Sequence, residues 1–325
     1  MSCILRGMSK SVMVCIGKAG QDVFLEGAVF KPLKEAGVFY EHIKLGEKFY
    51  VDSATYSTGG NAANAAVTFA RQHLETRFIS VLGDDPAGHA ILKTLDQEHI
   101  DTDSVRVDPE LTTSFSTILL APTGERTILD YPGTALLKED DLHLDDLRAD
   151  WLYISSVGSM KLLKKIIRTA HRNDIKVAFN PSSYELKHVQ ECADLLEWIE
   201  LFAVNKEEAQ QFVDGDTLEQ LAKKLSESVR YVLISDGAKG SVATDGLSIV
   251  KAGMYEDVPV KDRTGAGDAF TSGFVSQIAK GSDLEEAITF ASANSTSVVE
   301  KIGAKAGILR AGATLHTMPL KSRRL

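Results

Sequence analysis

Cysteine is scarce in this chain of 325 residues: Cys3, Cys15 and Cys192 lie far apart, with no CxxC pair and no metal-ligand spacing. A sparse, odd set excludes a disulfide scaffold and fits a reducing compartment, so a cytoplasmic location is expected. Cys15, inside an apolar run, reads as a small core residue. Positive charge is short as well, with 36 Lys and Arg against 45 Asp and Glu and a formal net charge of -9. A general nucleic-acid binder needs a basic face to neutralise phosphates, so no nucleic-acid partner is expected. A locally basic pocket for a small phosphorylated ligand remains compatible with this balance. No stretch approaches the ~20 apolar residues of a membrane span, so no membrane partner is expected either. The opening "MSCILRGMSKSVMVCIG" lacks a long apolar h-region, and no signal peptide is read in it. Met8 offers an alternative start. Repeats, low-complexity tracts and Pro-rich linkers are absent too.

What is present is an alternation of strands and helices. "SVMVCIG" (11–17), "RFISVLGDD" (77–85), "DWLYISS" (150–156), "IKVAFNP" (175–181), "ELFAVN" (200–205) and "RYVLIS" (230–235) read as strands or strands entering loops. Between them, "GGNAANAAVTFARQH" (59–73), "AGHAILKTLDQEH" (87–99), "MKLLKKIIRTAHRN" (160–173) and "TLEQLAKKLSES" (217–228) read as helices. This rhythm predicts a mostly parallel sheet covered on both faces. Two stretches break it. Residues 22–57 hold "FYEHIKLGEKFYVDSATYS", and residues 112–131 read "TTSFSTILLAPTGERTILDY", a hairpin by its Pro-Thr-Gly-Glu turn. We expect them to build a small β lid over the end of a core formed by 11–21, 58–111 and 132–318. Residues 1–10 and 319–325 are expected as flexible tails. The alternative is that the β stretches only extend the core or form a dimer contact.

The most distinctive stretch is "DRTGAGDAF" (262–270). After Gly267 comes an apolar helical pattern closed by Gly281 as a C′ residue. Gly265, Ala266, Gly267 and Asp268 therefore sit at a helix N-terminus, where unpaired N–H groups and the helix dipole favour an anion. Equally, Asp268 could simply satisfy those N–H groups. The stretch is not a Walker A loop, and it lacks the third glycine of the dinucleotide fingerprint. Elsewhere, Gly237 and Gly240 form a turn after a strand, where backbone can lie against a nucleotide. Asn205 and Glu208 stand three apart at a strand-to-helix junction, Asp22 follows the first strand, and Gly59, Gly60 and Asn64 open another helix. Each has a plain structural alternative: Asp22 as a turn residue, Asn64 as a helix-surface residue, Glu208 as a first-turn carboxylate.

In this order the motifs resemble the ribokinase-like (PfkB) sugar kinase family, from "IGKAGQD" to about "KIGAKAG", with "DRTGAGDAF" the most specific element and "GGNAANAAVTFAR…VLGDDPAG" the second. The resemblance implies a three-layer α/β/α fold with a mostly parallel central sheet and a small β-sheet lid. It implies an ATP-dependent phosphotransferase with Mg2+. Asp268 matches the family's catalytic base. Gly265, Ala266 and Gly267, with the amide of Asp268, match its anion hole for the γ-phosphoryl. Asp22, Gly59, Gly60 and Asn64 match positions that hold acceptor hydroxyls. Asn205 and Glu208 match the N-x-x-E element near the phosphates and Mg2+. Ser235, Gly237 and Gly240 match the nucleotide turn, and Ser292 or Asn294 falls where the adenine is bordered. Asp262 and Thr264, with backbone near Val298, Lys301 and Gly303, match a monovalent-cation site, which makes K+ a further candidate cofactor. Arg263 is a further candidate for phosphate charge, or else a surface arginine.

One departure bears on the acceptor. Ribokinases proper carry Lys-Gly after the paired glycines, where this chain has Asn61-Ala62. A sugar-phosphate acceptor would need cations near the lid, for which Lys31, Lys34, Lys44, Lys48 and Arg126 are available. A nucleoside would need stacking surface, which Phe24, Phe39, Tyr40, Phe49, Tyr50 and Tyr56 could supply, although β-sheets also use aromatics for packing. We expect a small neutral sugar, with a nucleoside second. A catalytically weak sugar- or nucleotide-binding sensor is the reading from another class. A homodimer through the lid is expected, because an open sheet edge seeks a partner.

Overall fold

The computed structural model describes residues 11–123, 125–142, 147–255 and 258–325. Among them a ten-stranded sheet runs in the order Leu320–Arg324, Ser248–Ala252, Ser241–Thr244, Tyr231–Ser235, Leu201–Asn205, Lys176–Phe179, Trp151–Ser155, Val12–Gly17, Glu75–Gly83, Val105–Asp108. From Tyr231–Ser235 to Val105–Asp108 every pair is parallel. The three pairs at the other edge are antiparallel.

The strands are apolar on both faces because both are covered, which is why they read as near-continuous apolar runs. Alternation still decides which face each residue serves. Met13, Cys15, Trp151 and Tyr153 point to one core, which holds Phe69, Phe274 and Ile288 from the helices Asn61–Arg71, Ala266–Ala279 and Leu284–Val299. Val14, Ile16, Leu152 and Ile154 point to the other, with Leu163, Ile166 and Leu221 from Met160–Arg172 and Leu218–Leu225. The three-layer α/β/α arrangement expected from the sequence is the one found.

Val12–Gly17 has Glu75–Gly83 on one side and Trp151–Ser155 on the other, so the strand order reverses at the first strand. Such a switch point opens a crevice at the carboxyl ends of the strands. Gly17 ends that strand at φ +151, and a Cβ there would lie 1.7 Å from the Ser155 carbonyl oxygen. Only glycine lets the two backbones approach so closely.

The two β-rich interruptions form a separate sheet in the order Ser53–Gly59, Gly20–Glu26, Ser114–Leu120, Arg126–Tyr131. Its central pair is parallel and the outer two antiparallel. The Ser114–Leu120 and Arg126–Tyr131 strands make the expected hairpin; Gly124 of its turn lies outside the described residues. The register aligns Ser57, Asp22, Ser116 and Asp130 in one row across all four strands. Phe24 and Ile118, two positions along, are buried with Leu120 against Ile302.

One boundary needs correction. The 319–325 segment is not a free tail: Leu320–Arg324 pairs residue for residue with Ser248–Ala252. Its "LKSRR" composition looks like a tail because it forms a sheet edge, where charged side chains guard unpaired backbone groups. The expected tail at 1–10 lies outside the described residues. No described helix is long and apolar enough to cross a membrane.

Candidate active site

A cleft of about 560 Å³ runs along the carboxyl ends of the parallel strands. Gly17, Ser80, Ser156, Asn180, Asn205 and Ser235 line it from the strand ends, and Gly267, Asp268 and Thr271 from the facing helix. The switch point thus delivers polar groups from six strands to one place, opposite a single helix N-terminus.

That helix is Ala266–Ala279, with Gly265 as its N-cap at φ +77. A side chain at Gly265 is barred twice: by the left-handed backbone and by Ala304, whose Cβ would lie 2.4 Å from the new Cβ. Gly267 differs, because a Cβ there would meet nothing within 4 Å. The space above it belongs to the cleft. The Ala266 N–H donates to the Arg263 carbonyl at 3.3 Å, and among the described residues the Gly267 and Asp268 N–H groups have no backbone partner. It ends at Lys280, and Gly281 takes the expected C′ position at φ +87.

Asp268 stands in the first turn, half-buried. Its Oδ2 accepts a hydrogen bond of 2.7 Å from Asn64 Nδ2. Asn64 Oδ1 in turn accepts one of 2.7 Å from Lys305 Nζ, which also donates to the Thr58 carbonyl at 2.6 Å. Burial pushes the Asp268 carboxyl above the ordinary carboxylate range; the Asn64 hydrogen bond and the Lys305 charge oppose this, and the Asp22 charge adds to it. Asp22 is raised for the same reason, burial, again opposed by the Lys305 charge and the neighbouring Ser116 hydroxyl, while the Asp262 and Asp130 charges add to it. Burial lowers Lys305 to about 7 against the pull of Asp22 and Asp268. Two carboxyl groups and one lysine amine therefore share a poorly hydrated site, in which Lys305 favours the charge of both carboxylates while Asp22 opposes that of Asp268.

The other candidates fall into three groups. Asn205 and Glu208 make a full capping box: Asn205 Oδ1 accepts from the Glu208 N–H, and Glu208 Oε2 accepts from the Asn205 N–H, both at 2.9 Å. Both residues nonetheless line the cleft with Ser235, and burial raises the Glu208 carboxyl. Gly237 and Gly240 flank a short turn at φ +50 and +97, and Gly240 packs against the Ala252 carbonyl. Asp262, 1% exposed, accepts from the Thr264 N–H and hydroxyl through Oδ1, and from the Gly303 N–H through Oδ2. The Val298 carbonyl accepts from the Lys301 N–H. Asp262, Thr264 and Gly303 are thus brought together at one point.

Asn294 does not face the cleft. It is fully buried, with Nδ2 donating to the Ala269 carbonyl and Oδ1 accepting from the Leu309 N–H, each at 2.8 Å. Both ends of its amide join helix to helix and helix to C-terminal loop. Ser292 is buried as well.

Two residues at the site escape a reading of the sequence. Lys305 lies within the closing "KIGAKAG" stretch, where nothing marks it as a site residue, and it meets Asn64 only through the fold. Glu185 looks like a surface glutamate in "SSYELK", yet it is fully buried. It accepts from the N–H groups of Val157, Gly158 and Ser182, all at 3.0 Å, and from the Ser182 hydroxyl. It thereby ties together the loops that follow two neighbouring strands and form part of the cleft. The one signal for it is the S-x-x-E capping box at Ser182.

Comparison with known proteins agrees with this geometry. Residues 37–310 match the model of the pfkB family carbohydrate kinases. A ribokinase of Haemophilus influenzae is 28% identical over 282 residues, covering 82% of this chain and 88% of its own. The structure of Arabidopsis thaliana ribokinase complexed with ribose and ATP superposes with a TM-score of 0.74 at 23% identity, covering 93% of this chain and 96% of its own. A Methanocaldococcus jannaschii nucleoside kinase superposes at 0.73 with 20% identity, covering 93% and 96%. The chain belongs to the pfkB family of carbohydrate kinases and is an ATP-dependent kinase of that family.

Proposed function

We propose that the protein moves the γ-phosphoryl of ATP to a hydroxyl, a CH2OH, of a small neutral sugar. The observation that carries this reading is the pairing of Asp268, held by Asn64, with the open N-terminus of its own helix at Gly267. Phosphoryl transfer asks the protein for little covalent chemistry. It asks for an in-line acceptor and fixed positive dipoles around the moving group. In this reading Asp268 takes the acceptor proton, and the 265–268 turn receives the phosphoryl oxygens. Asp22, Gly59, Gly60 and Asn64 hold the acceptor, under the small sheet as a lid. Asn205, Ser235, Gly237, Gly240 and Ser292 border the nucleotide. Glu208 keeps one carboxylate oxygen outside its capping box for a hydrated Mg2+, and a bound Mg2+ would neutralise phosphate charge. Asp262 and Thr264, with the backbone of Val298, Lys301 and Gly303, would hold K+.

A neutral acceptor follows from charge. The row of Ser57, Asp22, Ser116 and Asp130 offers hydroxyls and carboxylates to a polyol, while its two negative charges oppose a phosphorylated one. A nucleoside is the second reading, favoured by the exposed aromatics Phe39, Tyr40, Tyr50 and Tyr56 of the lid segments. The exposure of Tyr56 and Leu129 on the same sheet supports a homodimer through it. ATP consumption with a panel of sugars, sugar phosphates and nucleosides, each in K+ and in Na+, tests all of this. Acceptor-stimulated turnover with a neutral sugar is the expected result. Tight ligand binding without stimulated turnover would favour a sensor, and equal rates in K+ and Na+ would count against the cation site.

A further inference from the structure

Lys305, in the closing "KIGAKAG" stretch, is a lysine with 6% of its surface exposed at the centre of the site. Its three acceptors are the Thr58 carbonyl at 2.6 Å, Asn64 Oδ1 at 2.7 Å and the Gly59 carbonyl at 3.5 Å. An ammonium has three donors and no acceptor. Toward the protonated lysine Asn64 turns its oxygen, which leaves the NH2 group to face Asp268. That group donates to Asp268 Oδ2 at 2.7 Å. The amide is thus aligned head to tail between a cation and a carboxylate, an order in which each hydrogen bond polarises the next.

We infer that Lys305 is a positioning residue for phosphoryl transfer, acting through Asn64 to hold the Asp268 carboxylate in place for the acceptor hydroxyl. The inference rests on Asp268 being the base. Around Lys305 the charged neighbours are Asp22 from the small sheet, Asp268 from its helix and Arg71 from the helix that carries Asn64. Arg71 also holds the backbone beneath, donating to the Lys305 carbonyl at 2.9 Å and the Ile308 carbonyl at 2.8 Å. The ammonium is anchored from below, and its reach to Asn64 is fixed. A displaced or freely rotating amide would leave the Asp268 carboxylate without the one side-chain donor it has among the hydrogen bonds described.

The test is a double-variant cycle on the full chain, with turnover and the KM for ATP measured in each member. Lys305→Met keeps the length of the stem and removes the donor. It should lower kcat by about 10²-fold, the scale of a misplaced catalytic group, with the KM for ATP unchanged. Asn64→Leu should lower it similarly, and the double variant should lose no more than Asn64→Leu alone, since the two residues form one chain. Lys305→Gln, which retains a donor, should recover most of the turnover; if Lys305→Met does not fold, Lys305→Leu, which also removes the donor, takes its place in the cycle. Full turnover in Lys305→Met, or losses that multiply in the double variant, would overturn the inference. Wild-type turnover in Asp268→Asn would instead remove the base assignment on which it stands, so the two failures are distinct.

Discussion

Asn64 and Asp268 are 204 positions apart in the chain and 2.7 Å apart in the fold, joined by a hydrogen bond from Nδ2 to Oδ2. Each opens a helix after glycines. One helix begins at Asn61 behind Gly60, the other at Ala266 behind Gly265. The bond brings the two glycine-led helix starts to one point, the turns to which the proposed function assigns the acceptor and the phosphoryl.

The two glycines of the 265–268 turn should fail differently. Gly265→Ala places a Cβ against Ala304 in a left-handed backbone, so it should cost about 1–3 kcal/mol of stability together with activity. Gly267→Ala meets nothing and lies within a helix, where alanine is favoured by about 0.5–1 kcal/mol. It should fold at least as well as the wild type and yet turn over poorly, because its methyl enters the space assigned to the phosphoryl. Thermal unfolding beside steady-state kinetics separates the two. An active Gly267→Ala would argue against that placement.

Glu208 has two roles that substitution can divide. Glu208→Gln keeps the capping box, which accepts Glu or Gln at this position. Its stability should change by less than about 0.5 kcal/mol, while the Mg2+ concentration for half-maximal turnover rises. Glu208→Ala should lose about 1 kcal/mol as well. A Mg2+ titration of both variants checks this, and an unchanged Mg2+ dependence would leave Glu208 as a cap only.

Acid should silence the enzyme early. Burial raises the Asp268 carboxyl, so it takes up a proton at higher pH than a free carboxylate. A protonated Asp268 cannot accept the acceptor proton. Turnover should therefore fall as pH drops through a value above the ~4 of an unperturbed carboxyl. A pH profile of kcat whose acid limb lies at or below that value would contradict the assigned environment.

Glu185 should matter for folding more than for chemistry. Glu185→Ala strands three backbone N–H groups, those of buried Val157, half-buried Ser182 and exposed Gly158. Removing such charge-assisted bonds costs about 1.5–3 kcal/mol each at most, and the total should appear in the denaturation midpoint. The KM for nucleotide should rise as the loops loosen, with kcat at saturation changing less.

These residues show what the sequence could and could not disclose. The alternating strands and helices were legible because covered parallel strands carry continuous apolar runs, and Gly281 marked a helix end by its chemistry. The hairpin at 114–131 was legible from alternation and turn residues. Asp268 and Asn64 could be named because glycines before a helix are a local signal. Lys305 and Glu185 could not be found, since each is defined by partners on other elements and looks like an ordinary surface residue in its own window. Asn294 shows the same limit in reverse: its partners, the Ala269 carbonyl and the Leu309 N–H, lie outside its own window. Leu320–Arg324 misled because an edge strand guarded by charge has the composition of a tail.

The most direct measurement is acceptor-stimulated ATP consumption by Asp268→Asn, with ATP binding and thermal unfolding followed on the same preparation. Loss of a positioned base typically costs about 10²–10⁴-fold. The account predicts a loss of that size with the fold and ATP affinity retained. Turnover close to the wild type in a folded Asp268→Asn protein would contradict it.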